Sequence, residues 1–359
     1  MEKIAVGIIG ATGMVGQNYI QLLSGHPWFE VRHVAASSAS AGKPYMEAVD
    51  GRWLMRTPVP HRLRKLKVAD ANDTGTADGC RLIFSAVDAD KALVRNLETK
   101  YAQQGFAVVS NNSAHRLTPD VPMVVPEVNW EHIGLIDGQR EKRTWQEGLI
   151  AVKPNCSVQS YVTPLYALKE AGFPVETAVI ATLQAVSGAG FPGPASLQMI
   201  DNVIPFIPGE EEKSEEEPLR IFGSFADGKI EPDDSMKISA HCNRVPVIDG
   251  HMACVNMKFK GQKPAAQEIV EIWERFVGKP QKLDLPSAPR PPIVYREEPD
   301  RPQPRMDRNA GNGMAVTVGR LRPCPVFDYR FVGLSHNTNR GAAGGAILTA
   351  ELLKAQGYI

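Results

Sequence analysis

The sequence predicts two domains, a doubly wound parallel α/β sheet followed by an α+β domain with a mixed sheet. Three observations lead to this prediction. A chain of 359 residues is longer than a single hydrophobic core usually supports. Its first part alternates apolar strand patterns with helical patterns, as a parallel sheet with crossover helices requires. Beyond Cys156, several strand patterns surround one helical stretch, which indicates a mixed sheet backed by helices.

The first domain is predicted to cover residues 1–155. It opens with a strand, a helix and a second strand, the βαβ unit of a Rossmann-like sheet. Two further short apolar runs indicate buried strands, and a helical pattern separates them. The predicted elements are strands at 4–9, about 31–36, 82–86 and 106–110, with a first helix at about 14–23.

The second domain is predicted to cover residues 156–335, and a last helix follows it at 344–354. Two segments have a biased composition. The acidic run 210–218 predicts a solvent-exposed face, and the proline- and arginine-rich run 286–308 predicts an extended connection. The other predicted elements are helices from 156 to about 171 and at 265–277, and strands at 177–185, 253–259, 315–318 and 329–334.

Composition and charge exclude several classes of protein. Hydrophobic residues make up 43% and charged residues 22% of the chain, as is typical of globular proteins rather than disordered or membrane proteins. The 40 Lys and Arg residues balance the 40 Asp and Glu residues, so no overall field attracts nucleic acid or an anionic membrane. No apolar run is long enough to span a bilayer, and no signal-peptide pattern precedes the first strand, which predicts a cytoplasmic protein.

The five cysteines, Cys80, Cys156, Cys242, Cys254 and Cys324, are scattered and never form a CxxC pair. This spacing predicts neither a disulfide framework nor a zinc site, and no other metal site is predicted. Most free cysteines are small buried hydrophobic residues. Cys156 alone lies at the start of a helical pattern, where a thiol can be reactive.

A glycine-rich turn between the first strand and the first helix predicts a dinucleotide site. The sequence GATGMVG runs from Gly10 to Gly16, with the spacing GxxGxxG. Glycines allow a tight turn and a close approach of backbone amides to a pyrophosphate at the helix N-terminus. Glycines that only turn a strand into a helix are the alternative. The predicted cofactor contacts are Gly10, Thr12, Gly13, Met14, Val15 and Gly16.

The end of the second strand indicates NADP rather than NAD. NAD would require an Asp or Glu there to bind the ribose, but the sequence reads AASSASAGK up to Lys43. Hydroxyl groups and a cation suit a 2′-phosphate, although a plain serine-rich surface loop would look the same. Ser85, at the end of a later strand, is placed to line the cofactor crevice. The predicted 2′-phosphate contacts are Ser37, Ser38, Ser40 and Lys43.

Cys156, in the segment KPNCSVQ, is the candidate nucleophile. A helix N-terminus lowers the pKa of a thiol and stabilises the reactive thiolate, and amides there could stabilise an oxyanion. A buried inert cysteine is the alternative. His251 is suited to proton transfer, Arg244 matches a carboxylate, and Gln184 lies where a strand meets a glycine loop. Each of these three also has an ordinary structural explanation.

Taken together, seven segments resemble the aspartate-semialdehyde dehydrogenase family, in particular its archaeal and fungal branch. The similarity runs from Val6 to the last helix and covers essentially the whole chain. The segments, with the number of the first residue, are GATGMVG (10), SNNSAHR (110), KPNCSVQ (153), LQAVSGAG (183), CNRVPVIDGH (242), DRPQPRMDR (300) and HNTNRGAAGG (336).

By this resemblance Cys156 is the nucleophile, Gln184 orients the acyl-enzyme and His251 is the general acid and base. Arg244 and Glu210 are expected to hold the carboxylate and the ammonium group of the substrate. The resemblance also implies contacts to the phosphate from Asn112, Arg116 and Lys213, and contacts to the cofactor from Ser187, Gly188 and Asn337.

The activity implied by the resemblance is an NADPH-dependent reduction of L-aspartyl 4-phosphate to L-aspartate 4-semialdehyde, through a thioester on Cys156. The product would serve the synthesis of lysine, threonine and methionine. The resemblance also implies a homodimer or homotetramer, and the balanced charge and lack of long apolar runs predict no nucleic-acid or membrane partner. It places the C-terminal segment, about 336–359, back on the first domain.

Related activities are the alternatives. Archaeal malonyl-CoA reductases use the same thioester chemistry, but they carry an apolar residue where this chain has Asn155 and a different segment around the histidine. N-Acetylglutamyl-phosphate reductases usually have glycine and tyrosine around the nucleophile, unlike Asn155 and Ser157. A catalytically silent NADP-binding regulator would lack part of the machinery, whereas Cys156, His251 and Arg244 are all present.

Overall fold

The computed structural model describes residues 2–359 and contains two six-stranded sheets. The strands of the first sheet are β1 (Ile4–Ile9), β2 (Phe29–Ala36), β3 (Ala69–Asp70), β4 (Leu82–Ser85), β5 (Ala107–Ser110) and β6 (Leu149–Val152). All of them run parallel, in the order β3-β2-β1-β4-β5-β6. Ligand crevices form where the strand order reverses, here between β1 and β4. The predicted doubly wound sheet is confirmed.

Continuous apolar sequences explain why this sheet is buried on both faces. Strands β4, β5 and β6 read LIFS, AVVS and LIAV, and every residue in them is buried, as expected for parallel strands covered by helices. The third helix starts after Asp90, whose carboxylate accepts a hydrogen bond from the amide of Ala92 at 2.7 Å and so caps the helix. The helices of this half are α1 (Met14–Leu22), α2 (Tyr45–Ala48), α3 (Lys91–Gln103) and α4 (Leu135–Arg143).

The second sheet is mixed, as predicted. Its six strands are β7 (Val175–Gln184), β10 (Lys237–Arg244), β11 (His251–Phe259), β12 (Ile293–Arg296), β13 (Val316–Pro323) and β14 (Tyr329–Ser335). Two short strands between β7 and β10, β8 (Ser224–Ala226) and β9 (Lys229–Glu231), form a separate hairpin. The order in the sheet is β10-β7-β11-β14-β13-β12. Strand β7 pairs in parallel with β10 and antiparallel with β11, so their ends meet at one edge.

Burial alternates along the central strands of this sheet. From Ala178 to the end of β7 and along β11 every second side chain is buried, and those between them are half-buried except for the exposed Lys258, the pattern of a sheet with one covered face. The buried face contributes Ile180 and Val255 to a core with Trp273 and Phe331. The remaining helices are α5 (Val162–Glu170), α6 (Ser196–Met199), α7 (Glu210–Ile221), α8 (Ala266–Arg275), α9 (Lys279–Lys282), α10 (Pro304–Asp307), α11 (Ala310–Gly313) and α12 (Gly344–Ala355).

The C-terminal segment returns to the first sheet. Helix α12 buries Ile347 and Leu348 in the same apolar cluster as Val6 and Val109. Just before it, the guanidinium group of Arg340 is buried and pairs with both carboxylate oxygens of Glu127, at 2.9 and 3.1 Å. A buried arginine without such a partner would be strongly destabilising, so this pair fixes the position of the segment.

Two sequence-based expectations need correction. The acidic run 210–218 is not a solvated face, because it forms most of α7 and buries Glu210, Ser214 and Glu217 on one side. The run 286–308 is not only a connection, since it contributes the edge strand β12 and the one-turn helix α10. Strands β6 and β10 and helices α4 and α7 were not predicted.

Within residues 2–359 no helix combines the length and apolar character that a membrane crossing requires. The same residues contain no group of three or more His, Cys, Asp or Glu side chains arranged to hold a metal ion.

Candidate active site

The glycine turn at the end of β1 is shaped by contacts that exclude side chains. Gly10 has a φ of +78°, and a Cβ atom there would lie 2.3 Å from the carbonyl oxygen of Ala86. A Cβ atom at Gly16 would lie 2.3 Å from the carbonyl oxygen of Gly10. This cradle, at the start of α1, fits the pyrophosphate of a dinucleotide. Gly10 and Gly16 shape the turn, and the cleft itself is lined by Thr12, Gly13, Met14 and Val15.

The serine-rich turn predicted to hold the 2′-phosphate directly follows β2. It lies beside the glycine turn, because the amide of Ala11 donates to the carbonyl of Ala35 at 3.0 Å. Ser40 is buried within this turn, so its hydroxyl is less accessible to a ligand than the other candidates. None of the four predicted residues lines the main cleft. The three that are exposed are Ser37, Ser38 and Lys43.

Ser85 does not line the cleft. It is fully buried at the end of β4 and faces the carboxyl group of Glu98. Successive side chains of a strand point to opposite faces, and at this strand end the cleft is lined by the residues that follow. Those residues are Ala86, Val87 and Asp88.

Cys156 lies in a turn that its neighbours hold in place. The amide of Asn155 donates to Glu217 Oε2 at 2.5 Å, and its Nδ2 donates to Glu210 Oε1 at 2.9 Å. Asn155 Oδ1 accepts hydrogen bonds from the amide and the hydroxyl of Ser157, at 2.8 and 2.7 Å. A Cβ atom at Gly341 would lie 2.9 Å from the Cβ of Cys156, so only a glycine leaves the nucleophile free at that point.

The expectation of a thiol with a lowered pKa was wrong. Burial raises the pKa of Cys156 above its ordinary value, and the charge of Glu210 adds to the effect. Lys153, Arg116 and Arg244 oppose it only in part. The helix N-terminus is too far away to help, because a short 3₁₀ turn precedes α5, which begins only at Val162.

Helix α7 brings two carboxylates and a lysine to the nucleophile. Glu210, Lys213 and Glu217 share one face of the helix, because they are separated by three and four residues. Glu210 accepts hydrogen bonds from Lys213 Nζ at 2.8 Å and from Gln184 Nε2 at 3.2 Å, in addition to Asn155. Although burial raises the pKa of the Glu210 carboxyl, its contacts with Lys213 and the two amides lower it below the ordinary value.

Arg116 connects α7 to the cleft. Its Nη1 donates to Glu217 Oε1 at 2.8 Å, its Nε to the carbonyl of Lys153 at 3.1 Å, and its Nη2 to the carbonyl of Asn111 at 3.1 Å. An arginine has five N–H groups, so two remain for a ligand. Asn112 lines the same cleft. Glu217 was missed in the sequence, although it follows Glu210 at a spacing of seven residues, which returns to the same helix face.

Sheet register gathers Gln184, Arg244 and His251 at one edge. Gln184 is paired with Arg244 across β7 and β10, and His251 opens β11 on the other side of β7. Ala185 joins two of them, because its carbonyl accepts from Arg244 Nη1 at 2.8 Å and its amide donates to His251 Nδ1 at 3.0 Å. All three predicted residues are buried.

The environment of His251 determines where its proton lies. Since the Ala185 amide donates to Nδ1, the neutral ring carries its hydrogen on Nε2, and Nε2 has no partner within residues 2–359. Burial and the nearby charge of Arg244 lower the pKa of His251 to about 3. A Cβ atom at Gly188 would lie 3.0 Å from Nε2 and 2.9 Å from Arg244 Nη1. His251 Nε2–H and the Nη1 group of Arg244 therefore both lie next to Gly188, a residue that lines the cleft.

The predicted cofactor contacts of the second domain also lie at the cleft. Asn337 Nδ2 donates to Ser187 Oγ at 2.7 Å, and Asn337 Oδ1 accepts from the amide of Gly250 at 2.8 Å. Ser187, Gly188 and Asn337 line the same cleft as the glycine turn and Cys156. This single cleft is therefore lined from both halves of the chain.

Arg52 lines the cleft and was missed in the sequence. Its backbone carbonyl accepts from Gln17 Nε2 at 2.8 Å, and Gln17 also lines the cleft near the glycine turn. The guanidinium group is a cation that a cofactor phosphate can use. No motif or periodicity marks this loop position, so no sequence signal pointed to it.

Comparisons with known proteins match both halves of the chain. Residues 5–136 match the family model "Semialdehyde dehydrogenase, NAD binding domain", and residues 165–340 match "Semialdehyde dehydrogenase, dimerisation domain". An aspartate-semialdehyde dehydrogenase of Archaeoglobus fulgidus is 47% identical over 352 residues, covering 98% of each chain. That of Schizosaccharomyces pombe is 44% identical over 358 residues, covering 99% of each. The crystal structure of aspartate semialdehyde dehydrogenase with NADP from Candida albicans superposes with a TM-score of 0.91 at 38% identity, covering 100% of both chains.

Proposed function

The chain belongs to the aspartate-semialdehyde dehydrogenase family, and from this premise we propose how its residues divide the work of the reaction. The reaction is the NADPH-dependent reductive dephosphorylation of L-aspartyl 4-phosphate to L-aspartate 4-semialdehyde, a step of amino-acid biosynthesis. NADPH, when bound, supplies the hydride that reduces the acyl group. The glycine turn, Arg52, Ser187 and Asn337 are the residues suited to hold it in the cleft.

Cys156 forms the covalent intermediate. Its sulfur attacks the C4 acyl carbon, the C–S bond forms as the C–O bond to phosphate breaks, and a thioester results. After reduction the C–S bond of the thiohemiacetal breaks, which releases the aldehyde and restores Cys156. Because the pKa of the resting thiol is raised by burial and by the nearby carboxylate of Glu210, the thiol needs activation when substrate binds.

The substrate supplies this activation. Its ammonium group fits the Glu210 carboxylate, which already accepts from Lys213 and two amides. A positive charge there offsets the carboxylate, so the pKa of Cys156 falls when the site is filled. We assign Arg244 to the α-carboxylate of the substrate and Gln184 to the acyl group. Lys213, Asn112 and the two uncommitted N–H groups of Arg116 receive the phosphate.

His251 acts as a hydrogen-bond donor. The Ala185 amide occupies Nδ1, so Nε2–H is available to stabilise the oxyanion of the tetrahedral intermediate by a hydrogen bond. The backbone amide of Cys156 makes no hydrogen bond within residues 2–359 and is a second donor for the same charge. The imidazole keeps its Nε2 proton throughout, because a neutral ring that lost it would become an imidazolate anion. The proton of the Cys156 thiol passes to solvent when the thiol ionises, and the released thiolate regains one from solvent as the cycle closes.

One observation carries this proposal: Cys156, Glu210, Lys213 and Asn337 line a single cleft together with the glycine turn. We expect the purified protein to reduce NADP with aspartate semialdehyde at alkaline pH only when phosphate is present. Malonyl-CoA with NADPH is the parallel assay, because malonyl-CoA reductases use the same thioester chemistry. Oxidation of NADPH by malonyl-CoA, without phosphate-dependent activity on the semialdehyde, would refute the substrate assignment.

We assign residues 1–155 with 336–359 to cofactor binding and 156–335 to catalysis and dimerisation, and we propose a homodimer. The half-buried face of the second sheet carries apolar side chains on its central strands, and a second copy of the chain suits such a flat surface. Two dimers joined into a homotetramer are the alternative assembly. The side chains on this face include Val179, Ala181, Leu183, Met252, Cys254 and Val332.

A charge on this face should break the dimer. Val332→Arg is expected to give a monomer at micromolar concentration by sedimentation velocity, because an unpaired buried charge opposes association. Val326→Arg is the control, since Val326 is 80% exposed and lies outside the strands. A Val332→Arg protein with unchanged mass would show that the partner docks elsewhere.

A further inference from the structure

One buried carboxylate joins the phosphate side of the cleft to the turn that carries the nucleophile. Glu217 Oε1 accepts a hydrogen bond from Arg116 Nη1 at 2.8 Å, and its Oε2 accepts one from the backbone amide of Asn155 at 2.5 Å. Both partners of the ion pair are buried. Each oxygen of the carboxyl group therefore faces a donor, which is the arrangement that an ionised carboxylate requires.

The hydrogen bonds around Glu217 close into a ring. Arg116, besides its bond to Glu217, donates from Nε to the carbonyl of Lys153 at 3.1 Å. Lys153 Nζ donates to the carbonyl of Pro154, and the amide of the same peptide group donates to Glu217. This peptide group is thus held at both ends by buried charged side chains, and such bonds are stronger than those between neutral groups. The segment 153–155, which leads directly to the nucleophile, cannot shift without breaking them.

Glu217 acts on the ligands only through its neighbours. Arg116 and Asn155 line the cleft, whereas Glu217 does not. Arg116 also keeps two bonds that do not involve Glu217, from Nε to the carbonyl of Lys153 and from Nη2 to the carbonyl of Asn111 at 3.1 Å. A change at Glu217 should therefore leave the guanidinium group in place and alter mainly its charge balance and the support of the Asn155 amide.

The charge of Glu217 opposes a phosphate on Arg116. A phosphate on the uncommitted N–H groups of Arg116 would be separated from the Glu217 carboxylate only by the guanidinium group. Like charges repel strongly in a buried site, because the effective dielectric constant there is low. The pair thus offers the phosphate well-oriented donors whose positive charge is already largely neutralised. Such a site releases phosphate more readily than an unpaired arginine would, and phosphate has to leave in every turnover.

We propose that Glu217 is a positioning residue with two effects: it holds the turn of the nucleophile through the amide of Asn155, and it limits the affinity of Arg116 for phosphate. The proposal rests on the function proposed above, because it takes the phosphate of that reaction to bind at Arg116. The two effects have opposite consequences when the charge is removed. Loss of the first lowers kcat, whereas loss of the second makes phosphate bind more tightly.

The variant Glu217→Gln tests both effects at once. Its single oxygen faces Arg116, the charged and therefore stronger donor, so its amide nitrogen faces the N–H group of Asn155 and leaves that group without an acceptor. We expect kcat to fall about tenfold and the KM for phosphate to fall about fivefold at pH 8. A residue that only supports the fold would raise this KM, because a loosened site binds phosphate less well.

Titration calorimetry with inorganic phosphate measures the affinity of the full chain without turnover. We expect the Kd for phosphate to be about fivefold lower in Glu217→Gln than in wild type and unchanged in Glu216→Gln. The control removes the same charge from an exposed position of the same helix. Glu217→Asp keeps the charge but withdraws it from the Asn155 amide, so its kcat should fall while its Kd stays within about twofold of wild type. This variant decides the question if Glu217→Gln melts far below wild type.

Each contrary outcome refutes a defined part of the proposal. A raised or unchanged Kd for phosphate in Glu217→Gln would refute the limit on affinity, and an unchanged kcat would refute the support of the nucleophile. A similar fall in Kd in Glu216→Gln would show that only the net charge of the helix matters. Titration does not depend on turnover, so tighter phosphate binding by Glu217→Gln in a protein without phosphate-dependent activity would refute the proposed function and leave the effect of Glu217 on Arg116 standing.

Discussion

Replacing Cys156 with serine is expected to lower kcat/KM by about 10⁴-fold or more. Serine is nearly the same size, so the hydrogen bonds of Asn155 to Glu217, Glu210 and Ser157 should persist. The hydroxyl cannot form the thioester, and its pKa is too high for ionisation in a site that already disfavours a thiolate. Phosphate-dependent reduction of NADP measures the loss, and a melting curve shows that the fold is intact.

The resting thiol of the wild type offers a second measurement. Because burial and Glu210 raise the pKa of Cys156, alkylation by iodoacetamide should be slow at pH 7 and accelerate toward alkaline pH. Filling the substrate site without acylating the thiol, for example with aspartate, should increase the rate if the ammonium group offsets Glu210. A thiol that is fully reactive at pH 6 without any ligand would contradict the proposed activation by substrate.

Cys324→Ser is the matched control for the nucleophile. Cys324 is a free cysteine that does not line the cleft, and its sulfur contacts Asn256 at 3.6 Å on the second sheet. The control should retain wild-type kcat and KM. Activity of Cys156→Ser close to that of this control would exclude covalent catalysis by Cys156 and leave a direct hydride transfer as the remaining route.

Most of the fold could be predicted because each strand is marked by the residues of its own short segment. The runs 4–9, 82–86 and 106–110 are apolar and short, and the structure ends these strands within one residue of the prediction. Strand β10 was missed although Lys237–Arg244 alternates polar and apolar residues, the period of a half-buried strand. Helix α7 was missed because its acidic residues look exposed, whereas Glu210 and Glu217 are buried by contacts with residues distant in sequence.

The residues of the candidate site could be predicted from the sequence, but the pKa shifts within the site could not. Motifs identified Cys156, Gln184, Arg244 and His251, and sheet register brings the last three together. The direction of the Cys156 pKa shift was predicted wrongly, since it depends on burial and on Glu210 from another element. Three points stay predictions, because neither a contact in the structure nor a related protein tests them. They are the 2′-phosphate contacts of Ser37, Ser38 and Lys43, the domain boundaries and the cytoplasmic location.

Replacing His251 is expected to lower kcat by about 10²- to 10³-fold, the usual cost of removing one donor to an oxyanion. His251→Ala removes the Nε2–H group and leaves the Ala185 amide without its acceptor. His251→Gln retains an amide N–H near the position of Nε2 and should recover part of the activity. If His251 acts as a donor, the glutamine variant should therefore have a higher kcat than the alanine variant. If His251 acts as a general base, both variants should lose the same activity.

The pH profile separates these two roles further. A histidine with a pKa lowered to about 3 is neutral in the folded enzyme at every pH from 5 to 9, so His251 should contribute no ionisation to kcat in that range. His241→Gln is the control, because its side chain is 77% exposed on β10. An ionisation near pH 6.5 in the wild-type profile that disappears in His251→Gln but persists in the control would show that His251 takes up a proton during turnover. The Ala185 amide would then have to release Nδ1, and the loop after β7 would have to move with each catalytic cycle.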